Sequence, residues 1–323
     1  MRALEVNELG PPSNARLVER PAPQPGAGEV VLDVHAAGLN FADTLTISGV
    51  YQHKPALPFV PGMEAAGVIS ACGEGVGGVK VGDRVFCYAR QGCFAEQMVM
   101  PAAGVFPIPG GMSFVEAAAF PIVYGTAHMG LAYRAALKAG ETLLVTGAGG
   151  GVGLAAVEIG KALGANVIAA ASSKEKLELA KAHGADHIVD YASEHLRDRV
   201  MALTGGVDVA FEPVGGDVFR GTLRCMKFEG RLLLIGFASG DIPQIPANHM
   251  LVKNVTVIGF AWSNYRDRKP EVFRHTLAEI GRLHATGKLR PEVTEVLPLS
   301  QGVEALERLA GRKARGKIVL TMR

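Results

Sequence analysis

Apolar and polar positions alternate with a period of two along the first third of the chain. In GEVVLDVHAAG, Val30, Leu32 and Val34 interleave with Val31, Asp33 and His35, the pattern of a half-buried strand. GVISACG, DRVFCYA and FAEQMVM are further short strand candidates, and VGD before Arg84 marks a turn. Rich in Pro and Gly to about residue 118, this region reads as a small β-rich barrel or sandwich. From about residue 140 the period changes. ETLLVTG is an apolar strand, and behind it Val152, Ala156, Ile159 and Leu163 mark one face of a helix. Gly164 follows where a left-handed cap is wanted. Strands NVIAAA, HIVDY, VDVAFE, RLLLIGF and VTVIGF then alternate with helices KEKLELAKAH, EHLRDRVMAL and DVFRGTLRCMKF. Six strands with such crossovers predict an α/β fold, a doubly wound parallel sheet of the Rossmann type. Beyond about residue 265, helices FRHTLAEIGRLHATG and VEALERLAG, the second capped by Ser300, mix with strands VTEVLPL and KIVLTM. This tail is expected to pack back on the first domain.

Composition narrows the function classes. Thirty-three basic against thirty-one acidic residues leave a formal charge of +2, too balanced for the concentrated basic face of a nucleic-acid-binding domain. Cys72, Cys87, Cys93 and Cys225 form no CxxC pair and read as reduced thiols of a cytoplasmic protein. The first residues, MRALEVNELGPPSN, lack the pattern of a signal peptide. Ala117 to Tyr133 carries no charge, but Pro121, Gly125, His128 and Gly130 interrupt it and it is short of the ~20 residues of a span. A buried core segment is the expectation, with no membrane partner.

The chemistry centres on TGAGGGVG, Thr146 to Gly153. It joins an apolar strand to an amphipathic helix, where glycines let the backbone approach a pyrophosphate and free N–H groups at the helix start face the anion. A strict G-x-G-x-x-G fails, since the sixth position is Val152 or Leu154. Gly147, Gly150 and Gly153 instead repeat every three residues, and Gly153 is expected to permit close helix–sheet packing. The bland alternative is a tight turn with no ligand. The second strand ends in Ala170-Ala171-Ser172-Ser173-Lys174-Glu175-Lys176, without the Asp or Glu that usually bonds the ribose 2′-hydroxyl of NAD. Hydroxyls and lysines there favour NADP(H), without forbidding NAD, although Ser172 or Ser173 also suits a helix cap.

These residues lead to a resemblance that covers essentially the whole chain. AAGLNFADTLTISGVYQ, PFVPGMEAAGVI, VKVGDRVF, EAAAFPIVYGTAH, the glycine loop, FEPVGGDVF, GRLLLIGFASG and GKIVL resemble the zinc-free, zeta-crystallin-like quinone oxidoreductases of the medium-chain dehydrogenase/reductase superfamily. Within that family the likeness is to the quinone oxidoreductase-like proteins. The resemblance places the lost zinc-ligand positions of related alcohol dehydrogenases at Asn40, Met63 and roughly Ile122. An amide, a thioether and an alkyl chain do not hold zinc. Without a Lewis acid, quinones and α,β-unsaturated carbonyls are easier hydride acceptors than an alkoxide-forming couple, because they delocalise the incoming charge.

The resemblance also implies roles. Tyr51 would donate a hydrogen bond or proton to the acceptor, and Asn40 would bond the substrate carbonyl or the nicotinamide ribose. Asp43 and Glu64 would organise loops. Thr126 would contact the nicotinamide side. Gly149, Gly150, Gly151 and Val152 would face the pyrophosphate, with Ser172, Lys176 and Tyr191 around the 2′-phosphate. Val214 and Phe237 would line the cofactor, Phe260 and Trp262 would cover the nicotinamide or pack in the core, and Lys317 would reach phosphate or substrate, or sit solvated. Glu212, where relatives often carry Asp, receives no catalytic role. The expected arrangement is a GroES-like β-rich catalytic domain of residues 1–118 and 265–323 around an NADP(H)-binding domain of 119–264, with the active site between them. A homodimer through the edge strand 255–260 is also implied. Three functions remain: an NADPH-dependent quinone reductase, a reductase of enones, enals or enoyl thioesters, and a non-catalytic NADPH-binding protein of structural or regulatory role.

Overall fold

The computed structural model describes residues 1–322. Its contacts divide the chain into two compact units, Met1–Ile122 together with the segment from Pro291 onward, and Val123–Arg290. The first unit begins with β1 (Arg2–Val6), β2 (Ala15–Glu19), β3 (Glu29–Gly38), α1 (Phe41–Ile47), β4 (Glu64–Cys72), β5 (Arg84–Tyr88), β6 (Gln97–Pro101), β7 (Val105–Pro107) and α2 (Phe114–Ala118). The boundary falls within α3 (Pro121–His128), which a π-helical turn over Met129–Arg134 continues. The second unit then alternates β8 (Thr142–Thr146), α4 (Gly151–Ala162), β9 (Asn166–Ala171), α5 (Lys174–Ala182), β10 (His187–Asp190), α6 (Leu196–Thr204), β11 (Val207–Glu212), α7 (Gly216–Cys225) and β12 (Met226–Leu234). It closes with α8 (Ala247–Lys253), β13 (Thr256–Gly259), α9 (Ser263–Arg268) and α10 (Pro270–Ala285). The chain returns to the first unit with β14 (Val293–Pro298), α11 (Gly302–Ala310) and β15 (Lys317–Thr321).

In the first unit one sheet runs β14-β15-β3-β4-β5-β7, with β6 pairing β3. All its pairs are antiparallel except β14 with β15. Val30, Leu32 and Val34 point into a core that also holds Leu4, Ile69, Phe94, Leu306 and Leu320. Val31 is buried as well, so β3 is covered on both faces rather than on one. The second unit holds a wholly parallel sheet in the order β10-β9-β8-β11-β12-β13. Sequence order reverses between β8 and β11, which makes the carboxyl ends of those two strands the topological switch point.

Three boundaries differ from the sequence expectation. Met226, Lys227 and Phe228 continue the helical spacing of α7 but belong to β12, where Met226 pairs with Val207. Ser300 lies in a 3-10 turn over Leu299–Gln301, and Gln301 is the residue before α11. Residues 265–290 sort with the second unit rather than the first. The cause is α10, which buries Phe273, Leu277, Ile280 and Leu283 and packs Phe273 in a tilted pair against Trp262 with ring centroids 4.7 Å apart. Gly164 does supply the left-handed turn after α4, with φ of 85°. The uncharged stretch from Ala117 is broken between α2, α3 and the π turn, and no helix among the described residues is long and apolar enough to cross a membrane. All four cysteines are free thiols.

Candidate functional site

The glycine loop leaves β8 at Thr146 and folds on itself before α4. Gly147 is left-handed, with φ of 58°, and its carbonyl accepts the Gly150 N–H at 3.1 Å. The Ala148 N–H donates to the Ala170 carbonyl at 3.0 Å, fastening the loop to the end of β9. Gly150 caps α4 with no side chain over the first-turn N–H groups, to which Gly151 and Val152 contribute. Each glycine answers a different neighbour. A Cβ on Gly149 would strike the Lys176 side chain, and one on Gly153 would strike the Gly147 carbonyl and lie 2.7 Å from the Ala148 Cα. Gly153 therefore brings helix against loop, not helix against sheet. Close approach to the sheet falls to Gly160, whose Cβ would lie 2.6 Å from Leu143 Cδ2 and 3.1 Å from Val167 Cγ2. Gly150 is the exception. Its backbone, at φ −89° and ψ 166°, suits any residue, and its nearest neighbour to a Cβ is the Gly147 carbonyl oxygen at 3.5 Å.

At the end of β9, Ser172 is exposed and Ser173 caps α5, its hydroxyl accepting the Lys176 N–H at 3.4 Å. Tyr191, half-buried, donates its N–H to the Ala171 carbonyl at 3.1 Å. Ser172, Lys176 and Tyr191 thus gather beside Gly149 at one edge of the sheet. Across the switch point, Val214 approaches Gly147, with its Cγ2 3.1 Å from the position a Cβ would take there. Half-buried Phe237 begins a loop that binds the 213–216 turn: Ala238 N–H donates to Pro213 O at 3.0 Å and Ser239 N–H to Val214 O at 2.7 Å. Phe260 and Trp262 are buried in the core of the second unit. Phe260 packs by Gly130 and Phe211, and the Trp262 ring lies on Gly125 of α3, where a Cβ would meet it at 2.5 Å. Thr126 follows on that helix, half-buried.

The first unit holds a second constellation. Asn40 precedes α1, and its N–H donates to Asp43 Oδ2 at 2.7 Å. Its Nδ2 donates to Glu64 Oε1 at 2.8 Å and its Oδ1 accepts from Lys317 Nζ at 2.9 Å. Lys317 also donates to Glu64 Oε1 and to the Leu39 carbonyl, both at 2.6 Å, so all three of its N–H directions are engaged inside the unit. Glu64 Oε2 accepts the Ile122 N–H at 2.9 Å. The Glu64 carboxylate therefore ties Asn40 and Ile122 together, with Met63 adjacent to it in the chain. Gly38 makes room, since a Cβ there would lie 2.7 Å from Glu64 Oε1 and strike the Ala118 carbonyl. Asp43 is also buried, and its Oδ1 has no partner. Burial pushes its carboxyl up to about 7, against the pull of the Asn40 N–H and the Lys317 charge. Tyr51 is half-buried in the turn after α1, its N–H on the Leu45 carbonyl at 3.1 Å.

Asn40 and Lys317 come together, but with each other and with Glu64 as partners. Sequence reasoning did not find Gly38, Gly160 or the structural work of Glu212; the only signal was a glycine in an apolar strand or helix and an acid closing an apolar strand. The donor chemistry does not fit zinc. Asn40 spends its amide on an ammonium and a carboxylate, and Met63 and Ile122 offer a thioether and an alkyl chain. Among the described residues no cluster of three or more His, Cys, Asp or Glu is arranged to hold a metal.

Two family models match the chain: an alcohol dehydrogenase GroES-like domain over residues 26–110 and a zinc-binding dehydrogenase over residues 151–280. The quinone oxidoreductase-like protein 2 homolog of Nematostella vectensis is 41% identical, over 99% of this chain and 88% of the relative. A probable oxidoreductase from Mycobacterium abscessus superposes with a TM-score of 0.91 at 36% identity, covering 99% of this chain and 98% of that one. Escherichia coli quinone oxidoreductase complexed with NADPH superposes with a TM-score of 0.93 at 30% identity, covering 99% of this chain and 100% of that one.

Proposed function

Because the chain belongs to the medium-chain dehydrogenase/reductase family that includes the quinone oxidoreductases, we propose that it is an NADPH-dependent reductase delivering hydride to a quinone. Gly150 carries the reading. Neither its backbone nor its neighbours require glycine, so the space in front of α4 is kept clear for something other than protein, and a helix start suits a pyrophosphate. The carboxylate-free end of β9 supports NADPH over NADH, with Ser172, Lys176 and Tyr191 as the 2′-phosphate contacts.

When bound, the dinucleotide supplies a hydride from its nicotinamide ring. The chain's own residues hold and orient it: the Gly151 and Val152 N–H groups toward the pyrophosphate, and Val214 and Phe237 along its length. Tyr51 is the proposed proton donor to the acceptor oxygen. Asn40 commits its amide N–H groups to Glu64 and the Gly38 carbonyl, so its proposed part is to accept a hydrogen bond rather than to donate one. The donor set supports an acceptor that spreads its own charge, since Asn40, Met63 and Ile122 form no Lewis-acid site, and the quinone is chosen among such acceptors from the relatives' names. A cytoplasmic homodimer is proposed as the working form, from the free thiols and from β13 at the sheet edge beside exposed Leu251 and Val252.

The test follows NADPH consumption with an ortho-quinone, a para-quinone, a short enal and an enoyl thioester. Turnover of quinones supports the proposal, and turnover of the enal or thioester alone replaces it with the unsaturated-carbonyl reading. Tight NADPH binding without turnover on any acceptor favours a binding protein. Lys176→Glu is expected to weaken NADPH by about 10- to 100-fold, the loss of a charge-assisted contact, while leaving NADH nearly unchanged.

A further inference from the structure

Glu212 ends β11 at the switch point, wholly buried, and the mechanism above does not use it. Its carboxylate nevertheless accepts hydrogen bonds from three neighbouring residues. Oε1 accepts the Val214 N–H at 2.9 Å and the Gly215 N–H at 3.0 Å, and Oε2 accepts the Gly215 N–H at 3.0 Å as well. The Thr146 hydroxyl, at the end of neighbouring β8, donates to Oε1 at 3.1 Å. Gly215 and Gly216 both have positive φ, 81° and 55°, and they lead into α7. Consecutive N–H groups in such a turn at a helix start form a concavity that attracts anions. Here the chain fills that concavity with its own carboxylate.

The same turn is held from the other side. Gly216 N–H donates to Asp241 O at 3.2 Å, and a Cβ on Gly215 would lie 2.5 Å from that oxygen. Pro213 and Val214 in turn abut Gly147. One buried anion thus joins Thr146 of the glycine loop, the 213–216 turn and, through that turn, the 237–241 loop.

We propose that Glu212 is a positioning residue of the cofactor site: its carboxylate, seated in the anion nest ahead of α7, locks the 213–216 turn against the glycine loop. The proposal rests on the reading of the second unit as an NADPH site. By occupying the nest it also leaves the start of α4 as the open anion site of the pair. Burial raises the Glu212 carboxyl against the pull of the Gly215 and Val214 N–H groups and the Thr146 hydroxyl. The charged side chains on the elements around it are Asp217, Arg220 and Arg224 of α7, Asp241 of the adjoining loop, and Lys227, Glu229 and Arg231 of neighbouring β12.

The experiment titrates NADPH fluorescence into wild type, Glu212→Gln, Glu212→Asp and Glu212→Ala between pH 5 and 8, with and without acetate. Glu212→Gln keeps the shape and loses the charge, and is expected to weaken NADPH by about tenfold or more. The wild-type advantage over Glu212→Gln should shrink as the pH falls, a comparison that removes the titration of the ligand's own 2′-phosphate. Acetate should restore affinity to Glu212→Ala by refilling the nest, and should do nothing for wild type; Glu212→Asp should keep part of the affinity. Equal affinity and equal pH profiles for wild type and Glu212→Gln would overturn the proposal. So would a folded Glu212→Ala protein that acetate leaves unchanged. If Glu212→Ala does not fold, the isosteric Gln variant decides alone. A wild-type protein that binds no NADPH would instead remove the cofactor reading on which the proposal stands.

Discussion

The Lys317 ammonium and the Glu64 carboxylate lie 2.6 Å apart, with both side chains at most 5% exposed. They are separated by 253 positions in the chain and meet only through the pairing of β15 with β3 and of β3 with β4. A buried pair is costly to break from one side, because the survivor keeps its desolvation penalty without its partner.

Lys317→Met is therefore expected to lower stability by about 3–5 kcal/mol, read as a shift in the urea midpoint. Lys317→Arg should lose less, since it keeps the charge but not the compact three-way donation. A Met variant within about 1 kcal/mol of wild type would mean the pair is replaceable and does not hold the Asn40 amide.

Asp43 gives stability a pH dependence of known sign. Its folded-state value of about 7 stands above the ordinary 3.8, so between these values the unfolded chain releases a proton that the folded chain retains. Stability from this residue is therefore full below about pH 4, falls as the pH rises, and levels off above about 7. The whole change is roughly 4 kcal/mol at most, at 1.36 kcal/mol per pH unit of that window. Asp43→Asn should remove it, so denaturant midpoints of variant and wild type should move apart in the variant's favour from pH 5 to pH 8. Parallel midpoints would show Asp43 ionising without penalty.

Gly150 and Gly153 separate what the ligand needs from what the fold needs. Gly150→Ala has room for its methyl group and is expected to fold and melt like wild type, yet to bind NADPH at least tenfold more weakly. Gly153→Ala drives its Cβ into the Gly147 carbonyl and is expected to cost about 1–3 kcal/mol as well as binding. Thermal melts paired with NADPH titrations distinguish the two, and a Gly150→Ala protein of full affinity would count against the proposed pyrophosphate site.

The homodimer is open to a direct challenge. Leu251 and Val252 on α8 are 78% and 79% exposed, and β13 leaves one side of the parallel sheet without a partner strand. Leu251→Glu with Val252→Glu is expected to shift sedimentation from dimer to monomer at micromolar concentration without unfolding the chain. Wild type sedimenting as a monomer would remove the dimer proposal outright.

The parallel sheet was legible because each of its strands is an apolar run closed by a glycine or a polar break, and each helix shows one apolar face. The end of α7 was not. Met226 and Phe228 keep its spacing, and only pairing with β11 turns them into strand. Short α1 and α2, of seven and five residues, fall below the length at which a helical period can be read. In the first unit, Asp43 and Glu64 were legible as loop organisers, whereas Lys317 in RGKIVL reads equally as a solvated lysine. Its partners come from Leu39 and Asn40, between β3 and α1, and from Glu64 of β4, a convergence that no local pattern announces. Gly160 escaped for a similar reason, since a glycine between Ile159 and Lys161 in α4 gives no hint of Leu143 beneath it.

The late position of Lys317 bears on how the protein is made. A ribosome delivers Asn40, Asp43 and Glu64 early, then the entire nucleotide-type unit, and only afterwards the strand that brings their cation. Until β15 emerges, the Glu64 carboxylate has no cation to accompany it into the interior, so closure of the first unit around it is expected to wait on that last strand. A chain stopped short of residue 317 would leave Glu64 without its ammonium, and is expected to be cut by proteases faster than the finished molecule.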